Sequence, residues 1–234
     1  MAPDESRQVS AICFDALGTL LDPAHSFAHL ESAFPSRGTE IGNLWRSKQI
    51  DYSRLRSMSG KYADFDQITS DALVATFAHL AIPIKESDID AAMDAYQNCA
   101  MFPDAAKLLE SLHQPWAVVT NGNRKWIGPM LTGAGVEVSD SHLFTSDQVR
   151  TFKINAPLYQ LGWEWAQGAS RSAISQEEVL FVSANQWDAI GATWFGFTAC
   201  WVNRIGQSPE QLGVRPKFEI RSLDELVAMD IVST

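Results

Sequence analysis

An α/β fold, with a parallel sheet covered by helices on both faces and an all-helical insertion near its start, is what this sequence predicts. Three observations carry that expectation. From Phe102 onward, short apolar runs alternate with helical patterns, the β-then-α rhythm of a parallel sheet. The first apolar run, residues 9–14, is too short for a helix and is followed at once by Asp15 and a Gly18-Thr19 turn, so it reads as a buried strand. Residues 24–98 show helical periodicity and little strand signal. The expected division is an α/β core over residues 1–20 and 99–234, with a helical domain over 21–98.

The elements follow in order. Residues 39–58 read as one long helix, with Ile41, Leu44, Trp45, Ile50 and Leu55 as its apolar face. Arg46 lies four residues before Ile50 and so projects from near that side. Residues 65–81 form a second helix, and Ser87-x-x-Asp90 is expected to cap a third that ends near Asn98. In the core, residues 103–113 read as a helix with Pro103 at its start. Residues 116–119 read as a strand running into Thr120-Asn121-Gly122, with a helix after it to about Ala134. Further strands are expected at 143–144, 179–182 and 198–202, and further helices at 156–167, after Asn185, and at 223–229.

Composition narrows the function classes. The chain has 234 residues, 46% of them hydrophobic and 20% charged, ordinary values for a globular protein with a real core. A net charge of −10 argues against a broad nucleic-acid surface. It leaves room for a small anionic substrate, because a local cluster of cations dominates at short range. Cys13, Cys99 and Cys200 are far apart and odd in number, without disulfide or zinc spacing, so a reducing cytoplasm is expected. The N-terminal MAPDESRQ lacks an apolar segment and reads as a tail rather than a signal peptide. No apolar stretch approaches the length that spans a membrane. The histidines at 25, 29, 79, 113 and 142 are scattered, without ligand spacing.

Ligands of an open parallel sheet bind beyond the carboxyl ends of its strands. Three predicted strands end in polar residues: Asp15, Thr120-Asn121, and Ser183 through Asp188. Lys153, on the approach to a helix, can join them. Together they offer a nucleophilic carboxylate, a hydroxyl and amide to orient substrate, a cation and a second carboxylate. Plainer readings stand beside these. Asp15 can cap a turn, Asp188 can cap the helix that follows, and Arg46 and Lys153 can be surface charges. Trp187 and Phe65 can be pocket walls or core.

These residues carry a resemblance. DxxGT at Asp15, T-N-G at Thr120, Lys153 and FVSANQWDAIGA from Phe181 resemble the haloacid dehalogenase superfamily. The segment AFPSRGTEIGNLWRSKQIDYSRLRSM at residues 33–58 is similar to the cap domain of the L-2-haloacid dehalogenase branch, and CWVNRIG from Cys200 also matches that branch. The resemblance covers nearly the whole chain after the tail. It implies a Rossmann-like core with an inserted helical cap, a homodimer, and hydrolysis of 2-haloacids without metal or cofactor. Asp15 would attack C2 of an (S)-2-haloalkanoate and form an ester, which water then opens to the (R)-2-hydroxyacid. Asp188 would orient or deprotonate that water, and Lys153 would hold Asp15 ionised. Ser183 and Asn185 would position Lys153 and Asp188. Thr120 would hold the substrate carboxylate, while Arg46 and Asn121 would receive the halide. Leu17, Thr19, Ser47, Ile50, Phe65 and Trp187 would complete the substrate pocket.

The resemblance also bears on which reaction of the superfamily is expected. Metal-dependent phosphatases of the superfamily place a second Asp two positions after the nucleophile, and here that position is Leu17. The stretch from Ser183 to Asp188 holds one acid, where Mg²⁺ sites use several oxygen ligands. A halide needs no protonation to leave, so the absent acid matters less to dehalogenation than to phosphoryl transfer. A magnesium-dependent phosphatase and a non-catalytic binder of small carboxylates are the alternatives. The chain departs from the branch at Leu17 (usually aromatic), Ser47 (often Gln), Thr120 (usually Ser), Ile154 (usually Pro) and Ala184 (usually Ser).

Overall fold

A computed structural model describes residues 9–170 and 172–233. The expected N-terminal tail lies outside the described residues. The central strand, β1 (Ala11–Phe14), is buried throughout and apolar on both faces, as a strand covered by helices on each side requires. The chain leaves it through β2 (Leu21–Asp22) into four helices: α1 (Ala24–Ala33), α2 (Gly38–Ser59), α3 (Phe65–His79) and α4 (Glu86–Gln97). It returns through β3 (Ala100–Met101), then α5 (Pro103–Ser111), β4 (Trp116–Thr120), α6 (Arg124–Gly133) and β5 (Leu143–Thr145). The last part is α7 (Ser146–Val149), α8 (Ala156–Ala169), β6 (Val179–Ser183), α9 (Gln186–Phe195), β7 (Thr198–Val202), β8 (Phe218–Ile220) and α10 (Asp224–Ala228).

Six strands form one parallel sheet in the order β5-β4-β1-β6-β7-β8. β1 lies between β4 and β6, so strand order reverses around it, and the carboxyl ends of these three strands face one crevice. Asp15, Thr120 and Ser183 are thereby neighbours despite their distance in sequence. The outgoing and returning chains pair as a short antiparallel ladder, Leu21 with Met101 and Asp22 with Ala100. The helical block is tied to the sheet at this ladder.

Local chemistry accounts for several helix ends. Asn123 Oδ1 accepts the Trp126 backbone N–H at 3.0 Å and opens α6. α2 stops at Gly60, whose φ of 65° is the left-handed conformation a glycine adopts cheaply. α4 starts two residues earlier than expected: Asp88 accepts the Lys85 backbone N–H at 3.0 Å, so the N-cap is Lys85 rather than Ser87.

The long helix differs from its expected face. Its buried stripe runs through Ile41, Trp45, Gln49 and Ser53, four residues apart each time. Leu55 is 60% exposed and Ile50 is half-buried, because both fall to the sides of that stripe. The short ladder β2–β3, the three-residue edge strand β8 and the four-residue helix α7 carry too few residues to show a period, and the sequence reading had none of them.

Candidate active site

Asp15 sits one residue past β1 and is 5% exposed. Its Oδ2 accepts three hydrogen bonds: from Asn185 Nδ2 at 2.8 Å, Thr19 Oγ1 at 3.1 Å and Ser183 Oγ at 3.3 Å. The direction of the two hydroxyl bonds follows from their backbone partners. Thr19 Oγ1 accepts the Ala184 N–H at 2.9 Å and Ser183 Oγ accepts the Asn185 N–H at 3.1 Å, so each hydroxyl proton turns toward Asp15. Oδ1 takes one bond, from Lys153 Nζ at 3.0 Å. One oxygen is therefore fully engaged and the other retains a free lone pair.

The turn between Asp15 and Leu21 makes this possible. Gly18 takes a φ of 86°, and the N–H groups of Thr19, Leu20 and Leu21 all converge on the Ala16 carbonyl. The chain curls back tightly enough for the Thr19 hydroxyl to reach the carboxylate four residues earlier.

Lys153 bridges two carboxylates. Its Nζ also donates to Asp188 Oδ2 at 2.7 Å, and Asp188 Oδ1 accepts the Tyr159 hydroxyl at 2.7 Å. Lys153 is 2% exposed and Asp188 fully buried. Burial pushes the Asp188 carboxyl up to about 6, against the Lys153 ammonium, which pulls it down, while Asp15 raises it. Burial alone would lower the Lys153 ammonium, but Asp15 and Asp188 outweigh it and hold its pKa above the ordinary value. The backbone N–H of Lys153 donates to Asn121 Oδ1 at 2.7 Å, which seats the lysine against the end of β4.

The helical block closes the site. Arg46 on α2 donates to Asn185 Oδ1 at 3.0 Å through one guanidinium nitrogen and to Gln49 Oε1 at 2.7 Å through another. Gln49 is held in turn by Thr69 Oγ1 at 2.7 Å and the Tyr96 hydroxyl at 3.2 Å, which accept its amide protons. Asn185 thus joins the cation on α2 to the carboxylate on β1. The space left before Asp15 is ≈20 Å³, room for about one water.

Asp15, Leu17, Arg46, Ile50, Phe65, Thr120, Asn121, Asn185 and Trp187 line that cavity. Thr120 Oγ1 accepts the Gly122 N–H at 3.2 Å, so its own proton is open to a ligand. Asn121 spends its carbonyl on Lys153 and keeps its amide protons as donors. Lys153, Ser183 and Thr19 do not line that cavity but bond Asp15 from behind, and Asp188 joins them through Lys153. Three expectations are corrected here. The side chains of Ser183 and Asn185 bond Asp15 itself rather than Lys153 or Asp188, because the strand end that carries them lies directly beside β1. Thr19, fully buried, bonds the carboxylate rather than lining the pocket. Ser47 is exposed on the outer side of α2, one residue from Arg46 and therefore a third of a turn away.

Gln49 and Tyr159 were missed. Gln49 had a signal: it lies three residues after Arg46, on the same helix face. Tyr159 had none, because its place beside Asp188 depends on how α8 packs against α9. Among the described residues, no group of three or more His, Cys, Asp and Glu side chains is placed to hold a metal ion. The Lys153 ammonium already bridges Asp15 and Asp188, the two acids that would be needed.

Residues 9–196 match the family model for haloacid dehalogenase-like hydrolases. The chain is 40% identical to "(S)-2-haloacid dehalogenase 2" of Pseudomonas sp. (strain CBS-3) over 94% of its own length and 95% of the relative's. It superposes on the crystal structure of the L-2-haloacid dehalogenase RSc1362 with a TM-score of 0.88 at 34% identity, covering 95% of this chain and 98% of that one. The L-2-haloacid dehalogenase from Xanthobacter autotrophicus with chloropropionic acid covalently bound gives a TM-score of 0.84 at 31% identity, with the same coverage.

Proposed function

The chain belongs to the haloacid dehalogenase-like hydrolase family, and from that premise we propose how its site hydrolyses (S)-2-haloalkanoic acids. The carrying observation is the unequal treatment of the two Asp15 oxygens. Three donors lock Oδ2 while Oδ1, facing one cation, keeps a lone pair for attack. Oδ1 attacks C2 from the side opposite the halogen. The C–O bond forms as the carbon–halogen bond breaks, the centre inverts, and the halogen leaves with the electron pair. Negative charge grows on the halogen in that transition state, and Arg46 and the Asn121 amide receive it. The open Thr120 proton holds the substrate carboxylate.

Water then adds to the carbonyl carbon of the Asp15 ester, and the C–O bond between that carbon and the Asp15 oxygen breaks. The (R)-2-hydroxyacid leaves with an oxygen from Asp15, and the water oxygen stays in the regenerated carboxylate. Asp188, ionised above about pH 6, takes the water's proton, and Lys153 steadies the charge between the two acids. Leu17 at the place of a phosphatase's second acid favours halide departure over phosphoryl transfer.

Two further parts belong to this reading. Exposed Leu55 and Met58 on α2 and Val74 on α3 offer an apolar face for homodimerisation through the helical block. Three unpaired, buried thiols suit a reducing cytoplasm. A single turnover in H₂¹⁸O tests the chemistry. Label is expected in Asp15 and not in the first product; label in that first product would refute the ester route.

A further inference from the structure

A second space adjoins the reaction cavity and is far larger, ≈480 Å³ against ≈20 Å³. Four side chains line both: Leu17, Arg46, Gln49 and Asn185. Three of them form the hydrogen-bonded bar Gln49–Arg46–Asn185, which holds its place through polar contacts at both ends. Leu17 is different. It is aliphatic, tied by no side-chain hydrogen bond, and stands two residues from the nucleophile.

The larger chamber presents apolar surface: Phe27, Trp45, Phe102, Val202 and Ile205 line it. Its two cations are both engaged, Arg46 by Gln49 and Asn185 and Arg204 by an acid. Arg204 lies over the Phe102 ring at 3.9 Å and spends its terminal nitrogens on Asp104, at 2.7 and 3.2 Å, and on the Thr19 carbonyl at 3.1 Å. Asp22 at the rim disfavours a second carboxylate. An uncharged hydrocarbon group suits such a lining.

We propose that the chamber is an acyl-chain subsite, entered past Leu17, that takes the C2 substituent of 2-haloalkanoic acids with extended alkyl chains. This rests on the dehalogenase reading and adds a substrate class to it. A substrate whose carboxylate and halogen are held beside Asp15 has one remaining substituent to place. The small cavity, with room for about one water, cannot hold an alkyl chain as well without displacing a wall. An aromatic ring at position 17 would fill the passage.

Bromide release from (S)-2-bromohexanoate and (S)-2-bromopropionate tests the proposal. Burial of each added methylene raises kcat/KM about fourfold at most. The wild type is therefore expected to process the longer acid at least as well as the shorter, with the gain in KM. Leu17→Tyr, at the passage, and Ala24→Trp, at the chamber's outer wall, are each expected to lower the long-to-short ratio by about tenfold or more. The ratio is independent of how much enzyme is folded. For the wild type, (S)-2-hydroxyhexanoate is also expected to inhibit more tightly than lactate, which needs no variant. A wild-type ratio clearly below one, a ratio unmoved by both substitutions, or equal inhibition by the two hydroxyacids overturns the subsite. Absence of bromide release from both acids overturns the dehalogenase reading itself.

Discussion

Replacing Lys153 with methionine keeps the aliphatic stem and removes the ammonium that separates two buried acids. Lys153 Nζ lies 3.0 Å from Asp15 and 2.7 Å from Asp188, and all three side chains are almost wholly out of water. Breaking a buried ion pair by deleting one partner costs about 3–5 kcal/mol, since the charge left behind is uncompensated. Here two like charges are left, so the upper part of that range is expected at pH 7.5. For a chain of this size that is a fall in Tm of roughly 8–20 °C.

The pH dependence makes the argument specific. The folded-state pKa of Lys153 is raised, so its stabilisation is fully present below its unfolded value of 10.5 and is lost only as pH rises through the folded value. The Asp188 carboxyl is raised from 3.8 to about 6, so the folded chain binds that proton more tightly, and this group's contribution falls as pH rises across that window. Without the lysine the Asp188 carboxyl moves higher still. Lowering the pH protonates it and relieves the repulsion, so the penalty in Lys153→Met is expected to shrink between pH 7.5 and 5. Urea unfolding of both proteins at the two pH values measures this. A penalty under about 1 kcal/mol at pH 7.5, or one that grows on acidification, would refute the picture of one ammonium serving two acids.

Other outcomes follow from the same geometry. In the wild type, ester hydrolysis is expected to fall about tenfold per unit below pH 6, as Asp188 protonates, and stopped-flow or mass-spectrometric detection should find the ester accumulating in Asp188→Asn with that limb gone. Gln49→Leu leaves Arg46 without one of its two anchors, and a loss of ~10–100-fold in kcat/KM, from 1–3 kcal/mol of misplaced hydrogen bonding, is expected in a halide-release assay. Arg46→Lys keeps the charge but cannot span Gln49 and Asn185 together, so kcat is expected to fall more than KM rises, and more for chloride than for bromide. Thr19→Val removes a donor to Asp15 Oδ2 and orphans the Ala184 N–H, which is expected to cost about 1–3 kcal/mol of stability by denaturant titration.

Much of this protein was legible before any coordinates. Strands buried on both faces need unbroken apolar runs, so β1, β4, β6 and β7 announced themselves, and the polar residues that follow β1, β4 and β6 marked the edge where a ligand sits. Asp15, Arg46, Lys153 and Asp188 were named from sequence because each stands at a recognisable place: after a strand, within a cap-like helix, before a helix, or in a strand-following motif. What the tertiary structure alone decided is who touches whom. Thr19 bonds Asp15, Ser47 faces solvent, and Gln49 and Tyr159 join the site. The reason is geometric. A strand or helix period assigns a side chain to a face, but a hydrogen bond is settled within a few tenths of an ångström, and that depends on how a glycine turn curls and how helices distant in sequence pack. The division of the pocket into a small cavity before Asp15 and a larger apolar chamber, with Leu17, Arg46, Gln49 and Asn185 between them, is likewise a property of packed surfaces that no local pattern encodes.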